Sequence, residues 1–236
     1  MTRAYTIALD GSTYHGSVAI IRDARVVAER TLGAEAGGGK GEAGGKNGAG
    51  RGDALMPAIA QCLKETGIKR EEIARIVCGS GPGSFTSLRV AGSIAKGLAV
   101  GYGVDLYAVS SILLTVTGAR PGLPPGEYLS VLDAMRGEYF AARVTLHPDQ
   151  TATQAEPAVL MGAAELAEMG ERESLIHVVG PGQRLDFRPH ARGVAPLLES
   201  VAREGPVDLA SWEPIYGRLA EAQVRWETAH GRPLLG

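Results

Sequence analysis

Apolar residues along this chain come in short runs separated by turn-forming clusters. Thr6-Ile7-Ala8-Leu9 ends at Asp10-Gly11-Ser12-Thr13, a second run covers 17–21, and Asp23-Ala24 turns the chain into a third at Arg25-Val26-Val27-Ala28. Such runs predict strands, and short turns between them predict antiparallel pairing. The period then lengthens. Leu55, Ile59, Cys62 and Leu63 share one helical face between Asp53, a good N-cap, and Gly67, a helix stop. Pro57 lies near enough to the helix start to cost about one hydrogen bond. A strand over 72–78, a helix over 85–102 closed by Gly103 and a strand over 106–109 complete the order βββαβαβ. Beyond it the pattern predicts a helix over 110–118 and a loop over 121–126. Strands over 128–133 and 138–146 follow, joined by a turn at Arg136-Gly137. A weaker run at 158–160, a helix over 163–169, a strand over 175–179 and a helix over 195–202 end in an exposed tail from Trp212. The second half echoes the first in element order, not in residue identity.

Between the third strand and the first helix the pattern breaks off. Half of the residues in 33–52 are Gly, with mixed charges and no apolar anchor, which predicts a flexible loop spanning roughly 25 Å. With no side chain there to bury, it is expected to contribute little to folding. Lys40 and Lys46 lack the spacing of a phosphate-binding Walker loop. The net charge of −2 supplies no global basic field, so any RNA partner would need its phosphates held mainly by another subunit. No stretch approaches the length of a membrane span, and the first residues lack the apolar core of a signal peptide, which points to a cytoplasmic protein. Cys62 and Cys78, unpaired in sequence and in apolar settings, fit buried thiols of a reducing compartment.

The most informative segment is 79–102, GSGPGSFTSLRVAGSIAKGLAVGY. A Gly-rich turn between strand and helix could hold a phosphate, but Ser84 stands where a dinucleotide-binding loop needs its third Gly. The helix carries two apolar stripes: Leu88, Ala91, Ala95, Leu98 and Tyr102 on one side, and Val90, Ile94, Gly97 and Gly101 on the other. A helix apolar on two sides is covered on two sides. The second cover is either another helix of the same domain or a partner chain.

Gly81-Pro82-Gly83-Ser84-Phe85-Thr86, then Leu88-Arg89 and Ala95-Lys96-Gly97-Leu98-Ala99, closely resembles the hallmark segment of the TsaB (YeaZ-like) family. Val109-Ser110-Ser111, the cluster of Asp133, Arg136, Gly137 and Glu138, Leu55-Met56-Pro57-Ala58-Ile59, and the tail pattern Pro214, Tyr216, Arg218 resemble it too, in the expected order. The resemblance implies an α/β ASKHA fold (that of actin, Hsp70-type chaperones and sugar kinases). Two related RNase H-like halves, each a mixed sheet with flanking helices, would fall at 1–109 and 110–211, with a tail at 212–236. It also implies a non-catalytic subunit in the transfer of threonylcarbamoyl to adenosine 37 of tRNA. Such a subunit binds and activates the catalytic paralogue TsaD, meets the ATPase TsaE through that pair and tRNA indirectly, and pairs with itself when alone. The expected partner surface comprises Leu55, Ile59 and Leu63 of the first helix with Leu88, Ala91, Ile94, Ala95, Gly97, Leu98 and Tyr102 of the second. Two departures stand out: the Gly-rich insert, and Arg51 where the family carries a His.

In ASKHA enzymes a carboxylate and hydroxyls on the first hairpin hold metal and phosphate, and Asp10, Ser12 and Thr13 offer those groups as a vestigial phosphate loop. The second hairpin, at 133–137, has one Gly and two bulky side chains, and Pro181 interrupts the segment expected at the adenosine side. The five histidines never fall three or four apart, so no helix presents a pair of metal ligands. No cofactor of its own is expected, with ATP or ADP placed, if anywhere, at the partner interface. The alternative is an ATP-dependent small-molecule kinase of the same fold. A peptidase has no support, since no Gly-x-Ser-x-Gly elbow occurs.

Overall fold

The computed structural model describes residues 3–33, 54–172 and 177–217, so the Gly-rich insert, Asp53 and the chain beyond Gly217 lie outside the described residues. Strands β1 (Tyr5–Asp10), β2 (Ser17–Arg22) and β3 (Arg25–Thr31) form a meander. Asp23 and Ala24, both at positive φ, make the tight turn between β2 and β3 whose twist suits a two-residue hairpin. Two parallel strands, β4 (Ile73–Gly79) and β5 (Asp105–Val109), extend the sheet to the order β3-β2-β1-β4-β5. In register, Leu9 of β1 lies beside Val18 of β2 and Cys78 of β4. The mixed sheet with its flanking helices is an ASKHA-type half.

Alternation along the central strands places Ile7, Leu9, Ile20, Ile76 and Cys78 on one face, under helices α1 (Leu55–Thr66) and α2 (Phe85–Tyr102). Gly67 and Gly103 end these helices in the left-handed conformation, as their positions predict. Ser84 occupies the N-cap of α2 without bonding a backbone N–H; its Oγ donates to Ser87 Oγ instead, at 3.1 Å. Ala8, Ala19 and Val77 face the other way, into a core shared with α3 (Ser111–Thr117) and the second sheet.

That second sheet runs β10-β6-β7-β8, with β9 also paired to β7, from β6 (Gly126–Asp133), β7 (Glu138–Leu146), β8 (Ala152–Gln154), β9 (Val159–Gly162) and β10 (His177–Val179). Helix α4 (Ala163–Arg172) covers its far face, where Leu166 joins Leu129, Val131, Ala141 and Met161. β8 is absent from the sequence-based reading, because three residues with two polar side chains leave no periodicity to detect. The helix expected over 195–202 is corrected to a 3₁₀ segment, Ala191–Leu197, followed by α5 (Leu198–Glu204). Pro196 lacks the N–H an α-helical turn would need, so the α-helix starts only after it. The tail is corrected too: Pro214 is buried, Ile215 N–H donates to Ser80 O at 2.7 Å, and Trp212 packs on the core under α2.

Candidate functional site

The two stripes of α2 meet different surroundings. Leu88, Ala91 and Ala95 are fully buried in the chain's own core, as are Leu55 and Ile59 of α1. Leu63, Ile94, Leu98 and Tyr102 are half-buried and pack against that core. Leu55, Ile59, Leu88, Ala91 and Ala95 are therefore corrected to core positions, and of the ten expected partner contacts Gly97 alone is exposed. The outward face of α2 is instead Thr86, Arg89, Ser93, Gly97, Val100 and Gly101. It is small and uncharged apart from Arg89. A Cβ added at Gly97 or Gly101 would meet no atom within 4 Å, so among the described residues nothing requires either glycine for packing. Val100, 71% exposed, is the most exposed large apolar residue among the described residues, and Met56 adds a second on α1, which touches α2. Sequence reasoning missed Val100 and Met56, because apolar residues at those spacings read as core.

The first hairpin turns inward. Asp10 is completely buried; its Oδ1 accepts from Ser12 N–H at 3.1 Å and Ser12 Oγ at 2.7 Å, and its Oδ2 accepts from Ser111 Oγ at 2.7 Å. Burial pushes the Asp10 carboxyl above its ordinary range, against the pull of these three bonds. A Cβ at Gly79 would overlap Asp10 Oδ2, so only glycine leaves the carboxylate room. Ser111 in turn accepts from Gly81 N–H, and Gly81 O accepts from Ser111 N–H, fastening the 81–84 loop to the start of α3. Ser84 N–H donates to Ser12 O at 2.8 Å, and Gly83 lies so close to Ser12 O that no side chain fits. Thr13 Oγ1 bonds His15 O and accepts from His15 N–H. The hydroxyls of Ser12 and Thr13 are thus engaged within the turn, and the family loop Gly81-Pro82-Gly83-Ser84 closes over it.

Beyond that loop a cleft of about 1000 Å³ opens between the two sheets. One wall carries Tyr14, His15, Phe85 and Thr86; the other carries Asp133, Met135 and Arg136 of the β6–β7 turn with Phe140, Leu160 and Pro181. The structure therefore brings together both hairpins and the 180–182 segment, all legible as separate motifs. Met135, Arg136 and Gly137 take positive φ in succession, Asp133 Oδ1 accepts Met135 N–H at 2.7 Å, and Ala134 N–H donates to Glu138 O. Side chains of Met135 and Arg136 stand where a phosphate-binding hairpin would present bare backbone. Arg89 lies over the Phe85 ring, and Tyr216 of the tail meets that ring at a tilt of 47°, centroids 4.6 Å apart, while a Cβ at Gly217 would overlap Phe140. The tail so joins the two walls, a contact no local pattern signals. Among the described residues no group of three or more His, Cys, Asp or Glu is arranged to hold a metal.

A family model described as TsaD, tRNA N6-adenosine threonylcarbamoyltransferase, matches residues 52–186. The chain is 24% identical over 237 residues to the tRNA threonylcarbamoyladenosine biosynthesis protein TsaB of Bacillus subtilis (strain 168), covering 93% of this chain and 96% of that one. It is 25% identical to the TsaB of Escherichia coli (strain K12), covering 75% and 84%. In structure it is similar to YeaZ from Pseudomonas aeruginosa, with a TM-score of 0.70 and 20% identity over 90% of this chain and 99% of that one.

Proposed function

Because this chain belongs to the TsaD family, in its TsaB branch, and so to tRNA threonylcarbamoyladenosine biosynthesis, we propose that it is an accessory subunit that acts by docking on a catalytic TsaD. The observation that carries this reading is the outward face of α2. Gly97 and Gly101 each cost helix stability, about 1 kcal/mol against Ala, yet among the described residues no atom lies within 4 Å of where either side chain would stand. Close approach of a second helix accounts for both, with Val100 and Met56 as the apolar contacts. The same face pairs two copies when TsaD is absent, since a two-fold axis lets one patch cover itself. TsaE joins through the pair and tRNA is held mainly by TsaD, in the cytoplasm.

The first hairpin supports an accessory role over the kinase alternative. A phosphotransferase needs its carboxylate and hydroxyls turned toward metal and phosphate, and in this chain Asp10, Ser12 and Thr13 are spent on the 81–84 loop and the turn itself. The chain contributes no cofactor site of its own on this reading, and a nucleotide at the TsaD interface is left to the partner's residues. Sedimentation velocity of the chain mixed with TsaD tests the proposal. It predicts a co-sedimenting pair with wild type and separate boundaries with Gly97→Arg, whereas a pair retained by a folded Gly97→Arg variant removes the interface from α2.

A further inference from the structure

We propose that the cleft between the two sheets seats a nucleotide of a single-stranded RNA segment. Resting on the proposed accessory role, that RNA is the tRNA substrate. The lining has the two components that sequence-tolerant RNA binding needs, ring faces and cations. Tyr14 stands at the rim with more than half of its surface open, and the tilted Phe85–Tyr216 pair forms part of the wall. Two guanidinium groups line the cleft, Arg136 and Arg188, against one carboxylate, Asp133. A chain with net charge −2 thus concentrates positive charge beside its exposed aromatic surface. A metal-bound nucleoside triphosphate fits poorly, since the hydroxyls and carboxylate of the first hairpin are engaged elsewhere. The cleft also lies at the upper end of the size range for small-ligand pockets. With Tyr14, Met135 and Leu160 exposed at its mouth, it suits a segment of chain more than an enclosed cofactor. An unstacked base on the wall that carries Tyr14 and the Phe85–Tyr216 pair, with flanking phosphates toward Arg136 and Arg188, uses every one of these groups.

Fluorescence anisotropy of the full chain with a labelled single-stranded oligoribonucleotide at low salt tests this. Binding is predicted to weaken roughly tenfold in Tyr14→Ala and to persist in Tyr14→Phe, because a stacking face is what is lost. Arg188→Ala should lower the slope of log affinity against log salt by about 0.7, the share of one phosphate contact on a single strand. An RNA duplex of the same sequence should bind more weakly, and excess ATP should not displace the single strand. The proposal is overturned by no binding, by equal affinity in wild type and Tyr14→Ala, or by displacement by ATP, which would assign the cleft to a free nucleotide. All three variants leave α2 untouched, so co-sedimentation with TsaD separates failure of RNA binding from failure of the accessory role.

Discussion

Asp10 and His190 are two buried ionisable residues with opposite consequences for stability. Asp10 is held by three donors, so Asp10→Ala strands the Ser12 and Ser111 hydroxyls in a dry site and should destabilise the fold by about 1–3 kcal/mol in urea unfolding. A loss of ATP turnover in that variant, with stability intact, would instead return Asp10 to catalysis. His190 is buried, with Nδ1 accepting Arg192 N–H and Nε2 at 3.0 Å from Thr31 Oγ1. Burial first, then the charges of Arg192 and Arg120, push its pKa down to about 3. The unfolded chain takes up the proton near pH 6.5 and the folded chain does not, so this residue's share of stability is complete above pH 6.5. That share is lost as pH falls toward 3, by at most about 1.4 kcal/mol per pH unit. Asp10 runs the other way, its raised folded pKa lowering stability as pH rises above the ordinary carboxylate value. A His190→Gln variant should therefore lose less stability than wild type between about pH 7 and pH 4.5, measured by urea unfolding at both; an unchanged difference would show that His190 is charged in the folded state. The Asp10–Ser12 bonds lie within one turn and were legible as turn chemistry, but Ser111, which completes the site, lies 101 positions away and was not.

Helix α2 shows where sequence patterning succeeds and where it stops. Its ends were legible because Ser84 and Gly103 carry their own backbone signals, and its two apolar stripes were legible because helical periodicity is local. Which stripe faces inward was not, because both are apolar and the deciding contacts come from distant elements. β1 and β4 cover Ala91 and Ala95, while Trp212 and Pro214 of the tail approach Gly92. The structure now separates two substitutions that the sequence left equivalent. Ala95→Arg drives a charge into a fully buried site and should prevent folding, whereas Gly97→Arg points into open space and should leave the far-ultraviolet spectrum and melting temperature intact. Gly97→Ala should raise the melting temperature by about 2–4 °C, the return of roughly 1 kcal/mol of helix propensity in a chain of this size. A fall in melting temperature would mean that Gly97 is packed within the chain.

At the scale of the whole molecule, the succession of elements was legible from patterning and the fold from the family resemblance, and the first sheet follows the predicted strands closely. The second sheet was less so, since β8, three residues long with two polar side chains, left no pattern to read, while β10 falls within the strand expected over 175–179. The tail from Trp212 read as exposed because its anchors, the Ser80 carbonyl, Phe85 and Phe140, are contributed by both halves. These contacts join a degenerate cleft to the base of α2, and in the proposed accessory role the molecule has kept the ASKHA frame as a docking body for a catalytic relative. The most direct test is threonylcarbamoyl transfer to tRNA by purified TsaD, TsaE and a threonylcarbamoyl donor, with and without this chain. We expect no transfer by the chain alone, full transfer when it joins TsaD, and no stimulation by a folded Gly97→Arg variant. Transfer by the isolated chain, or undiminished stimulation by Gly97→Arg, would contradict docking through α2 as the basis of its function.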